Sequence, residues 1–507
     1  ARRVHRGATA GRRVMMKLLG IALTFALSLH LRAQTVDILS ADQILRDPAV
    51  TEAQRLIGNV KLGHEDAVLT CDSAWRFEDG SVEVFSNVAM RQPPATTMTA
   101  DYLQLQPNEE WAIANGEVEL NHESALLQAP SLQYILDGRT ARYFEGATIL
   151  DDGWTVTSKT GLYRTQSKVL ELGGEVRATN AEDSLFSDSL HWMRDDNRYR
   201  FHGPTQWLGK DVQFECQAGD VVMEEKPLGW LAGKVMVADG ESIVLSDSLA
   251  WDESSREIWG NATLANANGD GEVHGNHAVR YEEDSLEIVH GSEHRRAWLQ
   301  QIEDGDTLKL AAEVLQRRGE TLTAFKQVTL VQENLVGQGD SLVWIEDIGI
   351  IQMWGTPQLW SNKDKLAGDT LTLKMIKQSP EKLEMRGHSI VLSPANDTLS
   401  HRIQGRDLDA FFEENELRSV DVTGNGEVVT FDIPEDGSQG QIRINTAVCA
   451  KVTLQVVERE LVGIALQQGP RGKIEPVPKD QDLRPFQVDV APRTGPWETS
   501  EQGPLPE

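Results

Sequence analysis

The sequence predicts an all-β protein made of one short unit written many times, and three observations carry that expectation. A seven-residue phrase recurs: "FSDSLHW" at 186–192, "LSDSLAW" at 245–251, "QGDSLVW" at 338–344 and "AGDTLTL" at 367–373. The copies fall in a nearly fixed register. Within each copy, apolar residues alternate with polar ones at a period of two, the signature of a strand with one buried face. A catalytic motif is normally written once, so a phrase written this often points to architecture.

The register is read from the first Asp of the phrase. The anchors are Asp42, Asp72, Asp101, Pro130, Lys159, Asp188, Asp220, Asp247 and Asn276, with gaps of 30, 29, 29, 29, 29, 32, 27 and 29 residues. Glu313, Asp340, Asp369 and Asp407 continue the series more loosely. A second landmark, usually glycine, follows most anchors: "GNVKL" at 58, "SNVAM" at 86, "NGEVEL" at 115, "EGATIL" at 145 and "GGEVRA" at 173. Later copies include "AGKVMV" at 232, "WGNATL" at 259 and "WGTPQLW" at 354. About thirteen units of about 29 residues therefore tile positions 40–430, a repeat architecture in which each unit buries its apolar face only against its neighbours.

Each unit reads as two short strands. After the anchor, positions +2 and +4 are apolar: Leu103 and Leu105, Leu132 and Tyr134, Leu190 and Trp192, Leu249 and Trp251. After the glycine landmark the same alternation gives Val60 and Leu62, then Val118 and Leu120. These twelve residues are the candidates for an apolar inner face. The anchor Asp is expected at a strand entrance, where it satisfies turn donors and discourages edge pairing. Only "AAEVLQRR" (311–318) resembles a helix. With one rung per unit the stack would reach roughly 60 Å.

The ends differ from the repeat. Residues 1–33 hold seven Lys or Arg and no acid, and enclose the apolar run "LLGIALTFALSLHL" before Ala33. This reads as a secretory signal cleaved after Ala33, which takes the formal charge from −29 to −36. No later run is apolar enough to span a bilayer, and such acidity argues against nucleic acid and anionic membrane surfaces. Residues 34–230 and 231–469 are expected to carry the repeats, and 470–507 to form a disordered, Pro-rich tail.

Chemistry-bearing clusters are sparse. Cys71, Cys216 and Cys449 lie far apart, with no metal spacing and no disulfide framework. His274, His277, His290 and His294 form the densest histidine group, but an odd spacing sets the first two on opposite strand faces, so solvated loop histidines are expected and no metal. The calcium motif of glycine-rich nonapeptides does not occur, and Pro130 and Lys159 occupy anchor positions that a required ligand would not allow. No nucleophile elbow, phosphate loop or HExxH occurs. No enzyme and no cofactor are expected.

Units of this form behind a signal-like segment resemble the OstA-like (LptA) family. The residues that carry the resemblance are "SADQI" (40–44), "IGNVKL" (57–62), "CDSAW" (71–75), "SNVAM" (86–90), "TADYLQL" (99–105) and "ANGEVEL" (114–120). It is closest over 35–150, with echoes to about 430, and a stand-alone member without an outer-membrane barrel is expected. The resemblance implies an open β-jellyroll whose two sheets curl around an apolar groove. It also implies a periplasmic location and lipopolysaccharide as ligand, its acyl chains shielded by the groove and carried toward the outer membrane. Partners would be other jellyroll transport components, joined by strand-edge pairing at the inner and outer membranes. The competing expectations are a structural or adhesive cell-surface β-solenoid without lipid and, more remotely, a polysaccharide-active β-helix.

Overall fold

The computed structural model describes residues 36–46, 52–224, 227–303, 305–333, 335–376, 379–434, 441–458, 460–477 and 495–499. The signal-like segment at 1–33 lies outside them, as does most of the tail. Among these residues the chain forms a long antiparallel array of 36 strands, an all-β architecture. Sequential strands pair with their neighbours from Asp37 to Pro476, and "AAEVLQRR" is strand like the rest, in Asp306–Ala312 and Val314–Arg318. Part of the expected tail is ordered too: Arg471–Pro476 is a strand paired with 443–448.

The unit is a pair of long bent strands rather than of short ones. Val82–Gln92 with Thr96–Gln106, and Trp111–His122 with Ala125–Ile135, are typical. Each pairing jumps register at mid-length. Ile57 lies opposite Ser73, but the next pair is Val60 opposite Cys71, so Gly58 and Asn59 together face Asp72. Such a two-against-one bulge bends the strand. The halves before and after the bend belong to two sheets that face each other across the interior. In places the bend splits the strand, as between Thr140–Tyr143 and Ala147–Asp151.

Both sequence landmarks are this bend. The anchor Asp is not at a strand entrance; Asp188 sits inside Ser184–Met193. It packs against the glycine corner of the next strand, which explains why the two recur together. Gly58 and Gly116 take φ +78° and +80°, and a Cβ on either would lie 2.4 Å from Oδ2 of Asp42 or Asp101. Asn59 Nδ2 donates to Asp42 Oδ2 at 2.9 Å, and Asn87 Nδ2 to Asp72 Oδ2 at 2.7 Å. Two assignments shift. Gln217, not Asp220, meets the corner at Gly233, and Arg406, not Asp407, meets the one at Gly424. The irregular gaps of 32 and 27 thereby become 29 and 30.

Most inward residues merge into one apolar cluster running from Val36 to Val456, with a small separate one at Leu399, Phe431 and Ile444. Each enclosed Leu or Val contributes roughly 1.5–3 kcal/mol by leaving water, so the stack is held by its interior. All three cysteines are buried and unpaired, and burial pushes the Cys71 thiol up to about 11.

Candidate lipid-binding slot

The interior is filled in the first third of the chain and open in the middle. Val60, Leu62, Leu103, Leu105, Val118, Leu120, Leu132, Tyr134 and Leu190 are at most 1% exposed, so these candidates form packed core. Trp192 is also buried, within an aromatic cluster with Trp154, Tyr199 and Trp207 whose ring centroids lie 5.6–6.3 Å apart.

Polar bridges close the mouth of this filled section. Arg139 reaches Asp66 and the Pro93 carbonyl, Gln92 donates to Asp66 at 2.8 Å, and Tyr134 donates to Gln92 at 2.7 Å. Farther along, Arg194 donates to Asp151 at 2.6 Å, to Ser124 at 2.9 Å and to the Tyr163 hydroxyl at 3.0 Å. Burial pushes the Tyr134 and Tyr163 hydroxyls up to about 12, so both stay protonated, Tyr134 as the donor to Gln92 and Tyr163 as the acceptor from Arg194.

Beyond the aromatic cluster the two sheets separate. A cavity of about 410 Å³ is lined by Phe214, Val221, Leu231, Val237, Leu249 and Trp251. A second, of about 630 Å³, is lined by Val244, Ile258, Leu264, Val273 and Leu299, and Arg256 borders both. Val237, Val244, Trp251, Leu264 and Val273 are only partly buried, unlike most inward residues in the first third. Of the twelve candidates, Leu249 and Trp251 alone line this slot.

The slot also holds charges that the pattern search passed over. On one wall, directly paired positions run Trp251, Arg256, Arg280, Glu287, Arg317, Leu322 and Trp344. Arg280 and Arg317 stand four residues after the anchors Asn276 and Glu313, where other units carry Tyr134, Trp192, Trp251 or Trp344. That substitution was the readable signal. Burial pushes the Glu287 carboxyl up, and the neighbouring Arg280 and Arg317 oppose it.

Of the four histidines His294 is an exposed loop residue as expected, whereas His274, His277 and His290 lie on strands. His274 is buried, stacked on Trp298 at 4.0 Å, and His277 stacks between Trp259 at 5.9 Å and His290 at 5.8 Å. The odd-spacing argument fails because the bend at 275–276 lies between them and resets which residues point outward. Among the described residues no three His, Cys, Asp or Glu side chains come together as a metal site. Nor is any helix there long and apolar enough to cross a membrane.

Three comparisons bear on kinship. A search of the curated proteins finds no match. Among solved structures, the chain is similar to LptH, the LptA homologous periplasmic component of the conserved lipopolysaccharide transport device from Pseudomonas aeruginosa. The identity is 17% over 22% of this chain and 82% of that one, with a TM-score of 0.21. Residues 33–188 match the family model described as OstA-like protein. This segment, with its corner-bent strand pairs, is therefore similar to the OstA-like proteins.

Proposed function

We propose that the protein binds a lipopolysaccharide-type glycolipid and carries it across the periplasm, with the acyl chains shielded in the jellyroll interior. The observation that carries this reading is the slot between the separated sheets at 212–317, floored by Leu249, Ile258, Leu264, Val273 and Leu299 and continuous with the apolar interior. Each lipid methylene sheltered there gains roughly 0.8 kcal/mol. The OstA-like match at 33–188 supports the same ligand class. On this reading the chain is no enzyme, and its end strands extend the groove by pairing with partners of the same fold. Among the described residues, Asp37–Ser40 and Gln43–Leu45 pair only with Gln54–His64, which leaves an outer edge at that end.

The filled interior before Trp207 favours a second reading for that section, a structural scaffold without lipid. Site-specific photo-crosslinking in cells separates the two. A crosslinker at Trp251 or Leu264 is expected to capture glycolipid, while one at the outward corner residues Asp72 or Asp247 is not. Equal labelling at both sets, or none at Trp251 and Leu264, overturns the transport reading. Capture at Leu105, Leu120 or Trp192 requires the polar seam over the first third to part.

A further inference from the structure

The wall of the slot carries a strip of charge on its open side, where the side chains of Arg256, Arg280 and Arg317 are 48%, 52% and 37% exposed. Arg256 and Arg280 are direct cross-strand partners in an inward row that is otherwise apolar or aromatic from Tyr199 to Trp251 and again from Leu322 to Leu373. Like charges placed opposite each other on one sheet face repel, the more so beside an apolar floor. Their shared counter-ion is loose: Glu282, on the turn beyond the strand end, stands 3.3 Å from Arg256 and 3.9 Å from Arg280. Arg317 is held at 2.9 Å by Glu346 and faces Glu287 across the strand pair. All three arginines border the 630 Å³ cavity, with Gln301 and the carboxylates Asp270, Glu272, Glu287 and Glu303 also on its lining.

We propose that Arg256, Arg280 and Arg317 form a binding site for a phosphate-type anionic group, set on the wall of the slot. The inference rests on the lipid-slot reading and adds a polar half to it. Chains of an amphiphile lie on Ile258, Leu264, Val273 and Leu299, while its anionic group neutralises the opposed arginines. Guanidinium forks suit this task, because they offer paired donors in the plane that a phosphate or carboxylate accepts. The aromatic cluster on one side and the Leu322–Trp344 row on the other confine the charge to this stretch, so the ligand has a fixed station along the groove.

The test is titration of the full chain with three probes below their micelle concentrations: dodecyl phosphate, neutral dodecyl maltoside and inorganic phosphate. Dodecyl phosphate is expected to bind about tenfold more tightly than the maltoside at low salt, with the advantage shrinking as salt rises. Arg256→Gln with Arg280→Gln should erase the advantage, lowering the affinity for dodecyl phosphate to that for the maltoside; Arg280→Lys, which keeps the charge, should retain part of it. Should the double variant fail to fold, the salt dependence in the unaltered protein decides the matter. Equal binding of the two amphiphiles at every salt concentration overturns the anion site and leaves the apolar slot standing. Failure of both amphiphiles to bind removes the slot reading as well. Inorganic phosphate binding as tightly as dodecyl phosphate supports the arginine site as one for a free anion and removes its link to a lipid.

Discussion

Asp101 and Gly116 are two halves of one corner, supplied by neighbouring strands. Gly116→Ala would place a methyl 2.4 Å from Asp101 Oδ2 on a backbone at φ +80°. A loss of about 2–4 kcal/mol is expected, read as a lower thermal or denaturant midpoint. Asp220, which the spacing mistook for a corner residue, has a different task. Burial would raise its carboxyl, but Arg198 at 2.6 and 2.9 Å and Arg200 at 2.8 and 2.9 Å outweigh that and hold it below the usual aspartate value. A depressed carboxylate contributes stability that is fully present above the unfolded value and lost as pH falls through the folded one. Asp220→Asn should therefore cost about 1–3 kcal/mol near pH 6. The gap from the unaltered protein should narrow below roughly pH 4, which paired melts across pH would show.

At the scale of elements, the half-strands of the first third are tied across the slot mouth by polar bridges. Asp151 and Arg194 are 1% and 8% exposed in their side chains, so removing one leaves the other buried and uncompensated. Asp151→Ala is expected to cost about 3–5 kcal/mol. It should also speed amide exchange in Ala125–Ile135 and Thr160–Arg164 ahead of strands in the middle of the chain. Unchanged exchange there would show that the seam does not hold the sheets together. None of these pairings is visible in the sequence: Ser124, Asp151 and Arg194 lie in different units and meet only because the strands fold back at their corners.

The whole molecule grows by two rungs per unit, not one. Among the described residues, the 36 strands include eight pairs that are halves of one bent strand. Stacked at about 4.8 Å, the bent strands give a contour of about 130 Å, twice the length expected from one rung per unit. Stacks of this kind tolerate the loss of whole units. Deleting 82–111 brings Ala112 into the place of Val82 and the Gly116 corner into that of Ser86–Asn87, keeping every inward residue inward. The shortened protein should fold, with its longest dimension by small-angle scattering reduced by roughly 10 Å. Deleting 82–95 alone reverses strand direction and should abolish folding.

Alternating Leu, Val and Trp at fixed spacing determined by themselves that the chain is all-β, repetitive and apolar inside, because a period of two admits one arrangement of buried and solvent faces. The residues 57–62 and 99–120 likewise carried the resemblance to OstA-like proteins. Three matters were left to the tertiary structure. Asp and Gly corners looked like strand ends because a bulge and a turn use the same residue types. The twelve inward candidates looked equivalent, since periodicity reports which way a side chain points and not how far the opposite sheet stands. Only the separation of the sheets beyond Trp207 sets Leu249 and Trp251 beside a cavity and leaves Leu105 and Leu120 in packed core. Arg256, Arg280, Glu287 and Arg317 become one strip because cross-strand register joins residues that are far apart in the sequence.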